Sequence, residues 1–320
     1  MLYKDLKQQE NKDKLLRLLE ENNYPEEIAD FFSYSSVKSN QALLGYFSSV
    51  NKFLIWCREN KIIDSFQVNN IKPSHVVKYL TYLLEEENYK NSSIITIQNE
   101  LSSFFSYLLD EGLINRNPVL KRNKKLFAVK TAKNTKKLPM PNDLIELESN
   151  LRKIPNRISN IKFNSIYRVL KGSGLREIEL VGLDLDDLHL DVEYPYISIL
   201  RKGRYQEIEK EKIIISNDAK LALLQWLEVR DILQPKCNAV YLTRSGDRIK
   251  EQNIIKCLKR YSGGKITPHM LRHLYVTNLY QQTNDLAFVQ EQCGHVNGSN
   301  VTLDVYAAGS EKAKRVALNI

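Results

Sequence analysis

Apolar residues recur at intervals of three and four through the first third of the chain, and this spacing restricts the region to amphipathic helices. The pattern predicts helices over 39–60, 73–86 and 92–110, with shorter ones near 11–20 and 25–32. In the first of these the repeating apolar positions are Leu43, Phe47, Val50, Leu54 and Cys57. Gly112 suits the end of the last helix, because glycine readily adopts a left-handed conformation there. The sequence predicts a small helical bundle in this region.

The second half of the chain predicts helices mixed with a few strands. Residues 194–216, YPYISILRKGRYQEIEKEKIIIS, hold two β-rich runs around a Lys-Gly turn, which is typical of a hairpin. A short strand is also predicted at 239–243, AVYLT. Helices are predicted at 142–152, 160–171, 175–183, 218–230, 250–261, 268–282 and 285–292. The expected fold class is mainly α (α+β), a helical bundle followed by a mixed domain with a small antiparallel sheet.

Residues 121–137, KRNKKLFAVKTAKNTKK, concentrate the positive charge of the chain. The formal net charge is +9, and this stretch alone holds eight basic residues and no acidic residue. A solvated basic linker would explain it, since runs of charge are often only that. The alternative is contact with a polyanion, because lysines that neutralise phosphates release counterions. The side chains available for such contacts are Lys121, Arg122, Lys124, Lys125, Lys130, Lys133, Lys136 and Lys137.

No targeting or membrane segment is apparent in the sequence. The first residues, MLYKDLKQQENKDK, are charged where the apolar core of a signal peptide would begin, and the apolar runs are too short to span a bilayer. The four cysteines, Cys57, Cys237, Cys257 and Cys293, show no CxxC pairing. We expect reduced thiols in a cytoplasmic protein without a membrane partner.

A histidine and an arginine share one face of the helix predicted over 268–282. His269 and Arg272 are three residues apart, a spacing that brings two side chains to the same side of a helix. Thr267 can cap this helix, and Pro268 fits its first turn. Imidazole and guanidinium groups aimed the same way raise the question of which ligand they could share.

Two further motifs carry groups of the same chemistry. GSGLREIEL, residues 172–180, places Arg176 at the start of a predicted helix, where the helix dipole already favours anions. CGHVNGSN, residues 293–300, places His295 after a glycine at a helix end, and Tyr306 follows in VTLDVYA. An arginine at a helix start favours an oxyanion or phosphate site.

The order of these elements resembles the tyrosine recombinase family, which includes phage integrases and Xer-like enzymes. GSGLREIELVGLDLDDL looks like the first arginine box of that family, and LRKGR is similar to its Lys-Gly hairpin turn. ITPHMLRH resembles its His-x-x-Arg box, and the Gly-His pair and the later tyrosine follow in the same order. The resemblance covers roughly 39–310, and five elements in one order are more specific than any single motif.

The resemblance implies that Tyr306 attacks a DNA phosphodiester and forms a 3′-phosphotyrosyl link, with no metal and no other cofactor. Arg176 and Arg272 would hold the non-bridging phosphate oxygens, because the planar guanidinium fork matches such oxygens. Glu179, at the acidic position of the arginine box, would orient an arginine. The interval from His295 to Tyr306 is slightly longer than the commonest one in the family.

The remaining catalytic groups implied by the resemblance are two histidines and a lysine. His269 and His295 would add hydrogen bonds to the phosphate, and His269 could also help to move the tyrosine proton. Lys202, at the hairpin turn, would protonate the leaving 5′-oxygen. The family resemblance thus assigns each of these side chains a task in one reaction, site-specific DNA recombination.

The domain organisation is also implied by the resemblance. Residues 1–38 would be an N-terminal helical extension, and residues 39–120 a helical core-binding domain that contacts DNA. A basic linker over 121–138 would join them to a catalytic domain over 139–320. The protein would bind double-stranded DNA as a dimer on each site and as a homotetramer in synapsis. In the family the C-terminal tail, here 309–320, docks on a neighbouring protomer.

Metal-dependent chemistry offers two other interpretations of the sequence. Four possible zinc ligands occur close together, but an arginine, Arg272, would place a cation among them. Those ligands are His269, His273, Cys293 and His295. The acidic run DLDDLHLD, residues 184–191, could serve a two-metal nuclease, although no second carboxylate cluster is evident.

Alternatives within the resemblance concern the nucleophile and the activity itself. Tyr275 and Tyr280 are the nearest rivals of Tyr306, but both lie in an apolar-patterned helix and are better explained as packing groups. A type IB topoisomerase shares the chemistry, whereas the order of domains favours recombination. A DNA-binding or architectural relative without catalysis is the remaining alternative.

Overall fold

The computed structural model of the protein describes residues 3–34, 39–64, 66–120, 138–200, 210–293 and 316–320. The chain divides into two compact units, Met1–Lys133 and Asn134–Ile320. Helices dominate both units and a small antiparallel sheet lies in the second, so the predicted fold class is confirmed. None of the helices in these ranges is long and apolar enough to cross a membrane.

The first unit is built from helices in its described part. They are α1 (Tyr3–Glu21), α2 (Glu26–Tyr34), α3 (Asn40–Glu59), α4 (Pro73–Glu85) and α5 (Asn91–Asp110). The last three begin and end within one residue of the predicted limits, because local signals fix them. Ser39 Oγ accepts a hydrogen bond from the N–H of Ala42 at 3.3 Å and caps α3. Gly112, with a φ of 71°, follows α5. The helix α1 begins earlier than predicted. Its first half is polar and has no apolar stripe, so the apolar spacing could not reveal that part of the helix.

The core of the first unit lies where the apolar stripes of its helices face one another. Phe53, Leu54 and Phe104 are fully buried. Phe31 of α2 packs edge-on against Phe104 of α5, with ring centroids 5.3 Å apart. Leu15 of α1 belongs to the same buried cluster. The first two helices thus share one core with the three that follow.

The second unit combines helices with a three-stranded sheet. Its described helices are α6 (Pro141–Arg152), α7 (Arg157–Ser173), α8 (Glu177–Val181), α9 (Asn217–Arg230), α10 (Glu251–Tyr261), α11 (Pro268–Thr283) and α12 (Leu286–Cys293). Its strands are β1 (Leu188–His189), β2 (Tyr196–Ile199) and β3 (Glu211–Ile214), antiparallel in the order β1-β2-β3. Tyr196 pairs with Ile214, so β2 and β3 are the strands of the predicted hairpin. The turn between them, at 201–209, lies outside the described residues.

The strand predicted at 239–243 is wrong. This buried apolar segment makes only isolated bridges to other segments instead of joining the sheet. The carbonyl of Val240 accepts a hydrogen bond from Trp226 Nε1 at 2.8 Å, and that of Leu242 accepts one from Lys162 Nζ at 2.9 Å. Side chains, rather than a neighbouring strand, satisfy these carbonyls.

Two glycines at the end of α7 permit close packing around the turn that follows. A Cβ at Gly172 would lie 2.1 Å from Ser216 Oγ, at the start of α9. Gly174 ends α7 with a φ of 64°, and a Cβ there would lie 2.4 Å from Tyr275 Cδ1. Arg176 therefore follows a turn that α9 and α11 fix on both sides.

The last described residues, 316–320, pack on the second unit itself. Ala317 is fully buried, and the carbonyl of Leu318 accepts a hydrogen bond from the N–H of Asn217 at 2.8 Å. Leu318 and Ile320 lie against a buried apolar cluster. Its other buried members come from β3, α11 and α12, and are Ile214, Tyr275, Leu279, Phe288, Val289 and Cys293. The C-terminal residues therefore pack against β3, α11 and α12.

Candidate active site

Arg176 lies at the N-terminus of α8, where its side chain reaches solvent. Its backbone N–H donates to Glu179 Oε2 at 2.7 Å, so this glutamate caps the helix. Its guanidinium Nη1 donates to Glu179 Oε1 at 2.8 Å. The Arg176 side chain is 37% exposed, which leaves the guanidinium open to a ligand. Arg176 thus starts a helix as predicted.

Arg272 is enclosed one helical turn into α11, with 4% of its side chain exposed. The predicted cap of this helix is confirmed, since Thr267 Oγ1 accepts a hydrogen bond from the N–H of Met270 at 3.3 Å. Arg272 Nη1 donates to the carbonyl of Gly174, and Nη2 donates to the carbonyl of Cys293. Two carbonyls from different parts of the chain orient the guanidinium, which carries more N–H donors than these two bonds use.

One carboxylate connects the two arginines. Glu179 Oε2 lies 4.0 Å from Arg272 Nη1, while Oε1 accepts the hydrogen bond from Arg176. The Glu179 side chain is 7% exposed, and an unpaired charge at so enclosed a position would be unfavourable. The guanidinium groups of Arg176 and Arg272 compensate the negative charge of Glu179. The carboxylate in turn reduces the electrostatic repulsion between the two arginines. This contact supports the prediction that Glu179 orients an arginine.

His269 lies in the first turn of α11 and is exposed. Its ring centroid is 6.4 Å from that of His273, with the ring planes 24° apart. Although His269 and Arg272 lie one turn apart on the same helix, one is exposed and the other is enclosed. A phosphate in contact with both must approach from the exposed side of the helix.

The remaining predicted site residues lie outside the described residues. They are Lys202, His295 and Tyr306, together with Lys121, Arg122, Lys124, Lys125, Lys130, Lys133, Lys136 and Lys137. The described elements nearest to them are β2 and β3, which flank Lys202 in the chain, and α12, which ends directly before Gly294 and His295. The roles of these residues stay predictions.

The acidic run at 184–191 has structural partners. Arg248 Nη2 donates to Asp184 Oδ1 at 2.5 Å, and Lys210 Nζ donates to Asp187 Oδ1. Asp187 Oδ2 also accepts a hydrogen bond from the N–H of Asp184 at 2.9 Å. These bonds stabilise the turn that precedes β1 and give Asp184 and Asp187 structural roles.

The two rival tyrosines on α11 differ in their surroundings. Tyr275 is fully buried and lies against Gly174, as predicted for a packing group. Tyr280 is 44% exposed, so the prediction that it is also a packing group is wrong. Five positions along a helix of about 3.6 residues per turn bring it to a side that faces away from Tyr275.

Gly174 and Cys293 contribute to the site through their carbonyls, which sequence patterns did not predict. Gly174 carried a signal, because a glycine at a helix end marks a left-handed turn directly before the first arginine. Cys293 carried none, since every residue has a carbonyl and only the fold decides which one meets a guanidinium.

Two regions of the chain match known family profiles. Residues 35–115 match the phage integrase N-terminal SAM-like domain. Residues 144–312, more than half of the chain, match the phage integrase family. This chain belongs to the phage integrase family. The predicted resemblance is confirmed, and this family member is a tyrosine recombinase.

Individual relatives agree with membership in the phage integrase family. Tyrosine recombinase XerC of Serratia marcescens is 28% identical over 254 residues, which are 75% of this chain and 80% of that protein. XerC of Pseudomonas putida is 26% identical over 295 residues, 87% of this chain and 92% of that protein. These relatives are tyrosine recombinases, so the predicted activity, site-specific recombination, is confirmed. Nothing in the matches favours the alternative of a DNA-binding relative without catalysis.

A solved structure of another recombinase shares the fold. The crystal structure of XerH site-specific recombinase bound to palindromic difH substrate matches with a TM-score of 0.64 and 18% identity. The match covers 97% of this chain and 85% of that one. At this identity the likeness shows the fold alone, a helical first domain followed by a mixed second domain.

Proposed function

We propose that this recombinase cleaves and rejoins DNA strands through a 3′-phosphotyrosyl intermediate formed by Tyr306. The observation that carries the proposal is the carboxylate of Glu179, which connects Arg176 and Arg272 within one site. Two guanidinium groups held in this way suit the two non-bridging oxygens of a phosphodiester. We expect the protein to act in the cytoplasm, on integration or excision of a mobile element or on resolution of DNA multimers.

The two arginines would stabilise the transition state rather than the substrate alone. When the phosphate becomes pentacoordinate, negative charge accumulates on its non-bridging oxygens. Arg176, which is partly exposed, would meet the incoming DNA, and Arg272 is already oriented by the carbonyls of Gly174 and Cys293. A donor oriented before the reaction needs no further ordering, and one such donor is typically worth about 10²–10³ in rate.

The proton transfers would involve three side chains. A phenol has a pKa of about 10, so ionising Tyr306 near neutral pH costs roughly 3–4 kcal/mol, which a cationic site offsets. The Tyr306 oxygen forms a bond to phosphorus as the bond to the 5′-oxygen breaks. His269 would accept the phenolic proton, Lys202 would protonate the leaving 5′-oxygen, and His295 would donate a hydrogen bond to the phosphate. A 5′-hydroxyl from another strand reverses the step, so the bond energy is conserved without a nucleotide cofactor or metal.

The proposed DNA contacts follow the domain organisation. Residues 39–120 and 139–320 would each contact double-stranded DNA, and the basic residues of the linker at 121–138 would contact its phosphates. The net positive charge of +9 supports this arrangement. The structure of XerH contains difH DNA, which supports DNA as the partner here. Residues 1–38 are assigned as an extension that precedes the DNA-binding domain.

The proposed assembly is a dimer on each site and a tetramer in synapsis, joined by exchange of C-terminal tails. The support is the apolar cluster of β3, α11 and α12, which buries Ala317 and contacts Leu318 and Ile320. The same surface can accept the tail of a neighbouring copy, because the two tails are identical. Deleting residues 311–320 is expected to preserve binding to a single site and to abolish synapsis, measured by the mobility of paired DNA complexes.

The decisive experiment traps the covalent intermediate. Purified protein is mixed, in EDTA, with nicked duplex fragments from its source DNA, because a nick near the cleaved phosphate lets the short product diffuse away. Protein–DNA adducts that resist SDS are then counted for wild type, Tyr306→Phe and Tyr280→Phe. Tyr280 is the matched control, since it is an exposed tyrosine of the same unit.

The three proteins have distinct expected results. Wild type and Tyr280→Phe should form adducts, and Tyr306→Phe should form none. Sequencing of the captured fragments would then identify the recombination site. Adducts that persist in Tyr306→Phe would overturn the assignment of the nucleophile, and intact DNA binding without any adduct would support a non-catalytic relative.

A further inference from the structure

A buried glutamine connects the last turn of α12 to the sheet. Gln292 is 1% exposed, and its Oε1 accepts a hydrogen bond from the N–H of Ile214 at 2.9 Å. Ile214 is the last residue of β3, and β3 is an edge strand of the described sheet. The glutamine thus satisfies a main-chain donor that the strand itself leaves on its open edge.

The residue after this glutamine supplies an acceptor to the site. The carbonyl of Cys293 accepts a hydrogen bond from Arg272 Nη2. Gln292 and Cys293 are consecutive residues at the end of α12. A bond that fixes the side chain of the first to β3 therefore helps to hold the last helical turn, from which the carbonyl of the second projects. Ile214 and Arg272 are therefore connected through two consecutive residues of α12.

Apolar packing alone would not require an amide at this position. Phe288, Val289 and Cys293, on the same helix, are buried in an apolar cluster with Ile214. A leucine or methionine in place of Gln292 could extend that cluster and would avoid the cost of burying an amide. An apolar residue, however, could not accept the hydrogen bond from the Ile214 amide that holds the end of α12 against β3.

We propose that Gln292 is a positioning residue for strand cleavage, which holds the carbonyl of Cys293 against the guanidinium of Arg272. The side chain does not touch DNA, and it acts by keeping the end of α12 at a fixed distance from β3. The inference rests on the proposed function, in which Arg272 stabilises the charge on the phosphate. Nothing in the sequence pattern distinguishes this glutamine from Gln290 on the same helix.

Three variants separate the hydrogen bond from the packing. Gln292→Met keeps the length of the side chain and removes the acceptor, whereas Gln292→Glu keeps an acceptor oxygen at the same place. Gln290→Met is the matched control, because Gln290 lies on the same helix and is only partly buried. The measurements are the single-turnover rate of adduct formation at saturating nicked DNA, the Kd for that DNA, and the hydrogen exchange of the Ile214 amide.

Gln292→Met is expected to speed exchange at Ile214 and to slow cleavage by about ten- to a hundredfold, since small displacements of a catalytic group have effects of this size. Its Kd should stay within about twofold of wild type, because binding draws on many contacts across the duplex. Gln292→Glu should restore most of the rate, and Gln290→Met should cleave like wild type.

A second substrate tests whether the defect passes through Arg272. A methylphosphonate at the cleaved position removes the negative charge that the arginines neutralise. If Gln292 acts through Arg272, the gap between wild type and Gln292→Met should shrink on this substrate. A gap of equal size on both substrates, a wild-type rate for Gln292→Met, or no recovery in Gln292→Glu would each overturn the inference. Absence of cleavage by wild type would instead overturn the proposed function.

Discussion

The carboxylate of Glu179 lies 4.0 Å from the guanidinium of Arg272, although the two residues belong to different helices. Both side chains are almost fully enclosed, where an opposite charge nearby stabilises each of them. The second carboxylate oxygen accepts a hydrogen bond from Arg176, which reaches solvent. Arg176 and Arg272 are therefore coupled through the charge of Glu179. Removing that charge should affect both arginines.

Glu179→Gln keeps the shape of the side chain and removes its charge. We expect cleavage to slow by about ten- to a hundredfold, because a hydrogen bond to a charged group is worth about 1.5–3 kcal/mol. Adduct formation on nicked DNA measures the rate. Glu177→Gln, on the same helix, is the control and should leave it unchanged. Equal rates for all three proteins would show that Glu179 does not orient the arginines.

Gly174→Ala should destabilise the second unit more than an equivalent change elsewhere. Gly174 and Gly263 both have a positive φ, 64° and 59°, so alanine at either costs roughly 1–2 kcal/mol of backbone energy. A Cβ at Gly174 would also overlap Tyr275, whereas nothing lies within 4 Å of one at Gly263. The overlap should add about 1–3 kcal/mol to the loss in free energy of unfolding, measured by urea denaturation. Similar losses in the two variants would contradict this account.

Gln98→Leu should stabilise the first unit. Gln98 is fully buried on α5, and neither atom of its amide has a hydrogen-bond partner within the described part of the chain. Burying an unsatisfied amide costs about 1–3 kcal/mol, and leucine has similar volume without that cost. The free energy of unfolding in urea should rise by this amount. The exposed Gln67→Leu is the control and should change it by less than about 0.5 kcal/mol. A loss of stability in Gln98→Leu would indicate a polar partner for the amide.

Lys162→Met should change the pH dependence of stability. Burial lowers the pKa of Lys162 from its ordinary 10.5; nearby Arg244 lowers it further, and Cys257 opposes the shift. Between the lowered pKa and 10.5 the unfolded chain binds more protons than the folded one, so wild-type stability rises with pH through this window. The free energy of unfolding of Lys162→Met relative to wild type should therefore fall as pH rises toward 10.5. Chemical denaturation at several alkaline pH values tests this, with the exposed Lys259→Met as a control whose difference stays constant.

Neutralising the basic linker should weaken DNA binding without regard to sequence. Replacing Lys124, Lys125, Lys136 and Lys137 by glutamine removes charges whose binding to phosphates releases counterions. The slope of log K against log salt should flatten by about 0.9 for each phosphate that the linker no longer neutralises. Binding isotherms on specific and random duplexes at several salt concentrations measure it. A control with the same change at the exposed Lys12 and Lys14 of α1 should keep the slope, and an unchanged slope in the linker variant would exclude contact with the backbone.

Much of the fold could be predicted because its determinants are local. The apolar spacing that predicts α3, α4 and α5 acts over three and four residues, within the reach of one helical turn. The cap at Thr267 and the left-handed turn at Gly174 are signalled by single residue types at helix ends. The role of Glu179 was implied by the family resemblance, and its ion pair with Arg176, three residues away, is also a local contact.

Only the tertiary structure decided how Arg272 is held. Its acceptors are carbonyls 98 and 21 residues away in the chain, at Gly174 and Cys293. The segment at 239–243 shows the same limit, since side chains of other segments satisfy the carbonyls of Val240 and Leu242, and the segment does not join the sheet. Every residue has a carbonyl group, so the sequence does not indicate which carbonyl a distant side chain will bind. The sequence by itself determined which helices form, and it predicted which charged groups belong to the site. Packing of distant segments determined where those groups point.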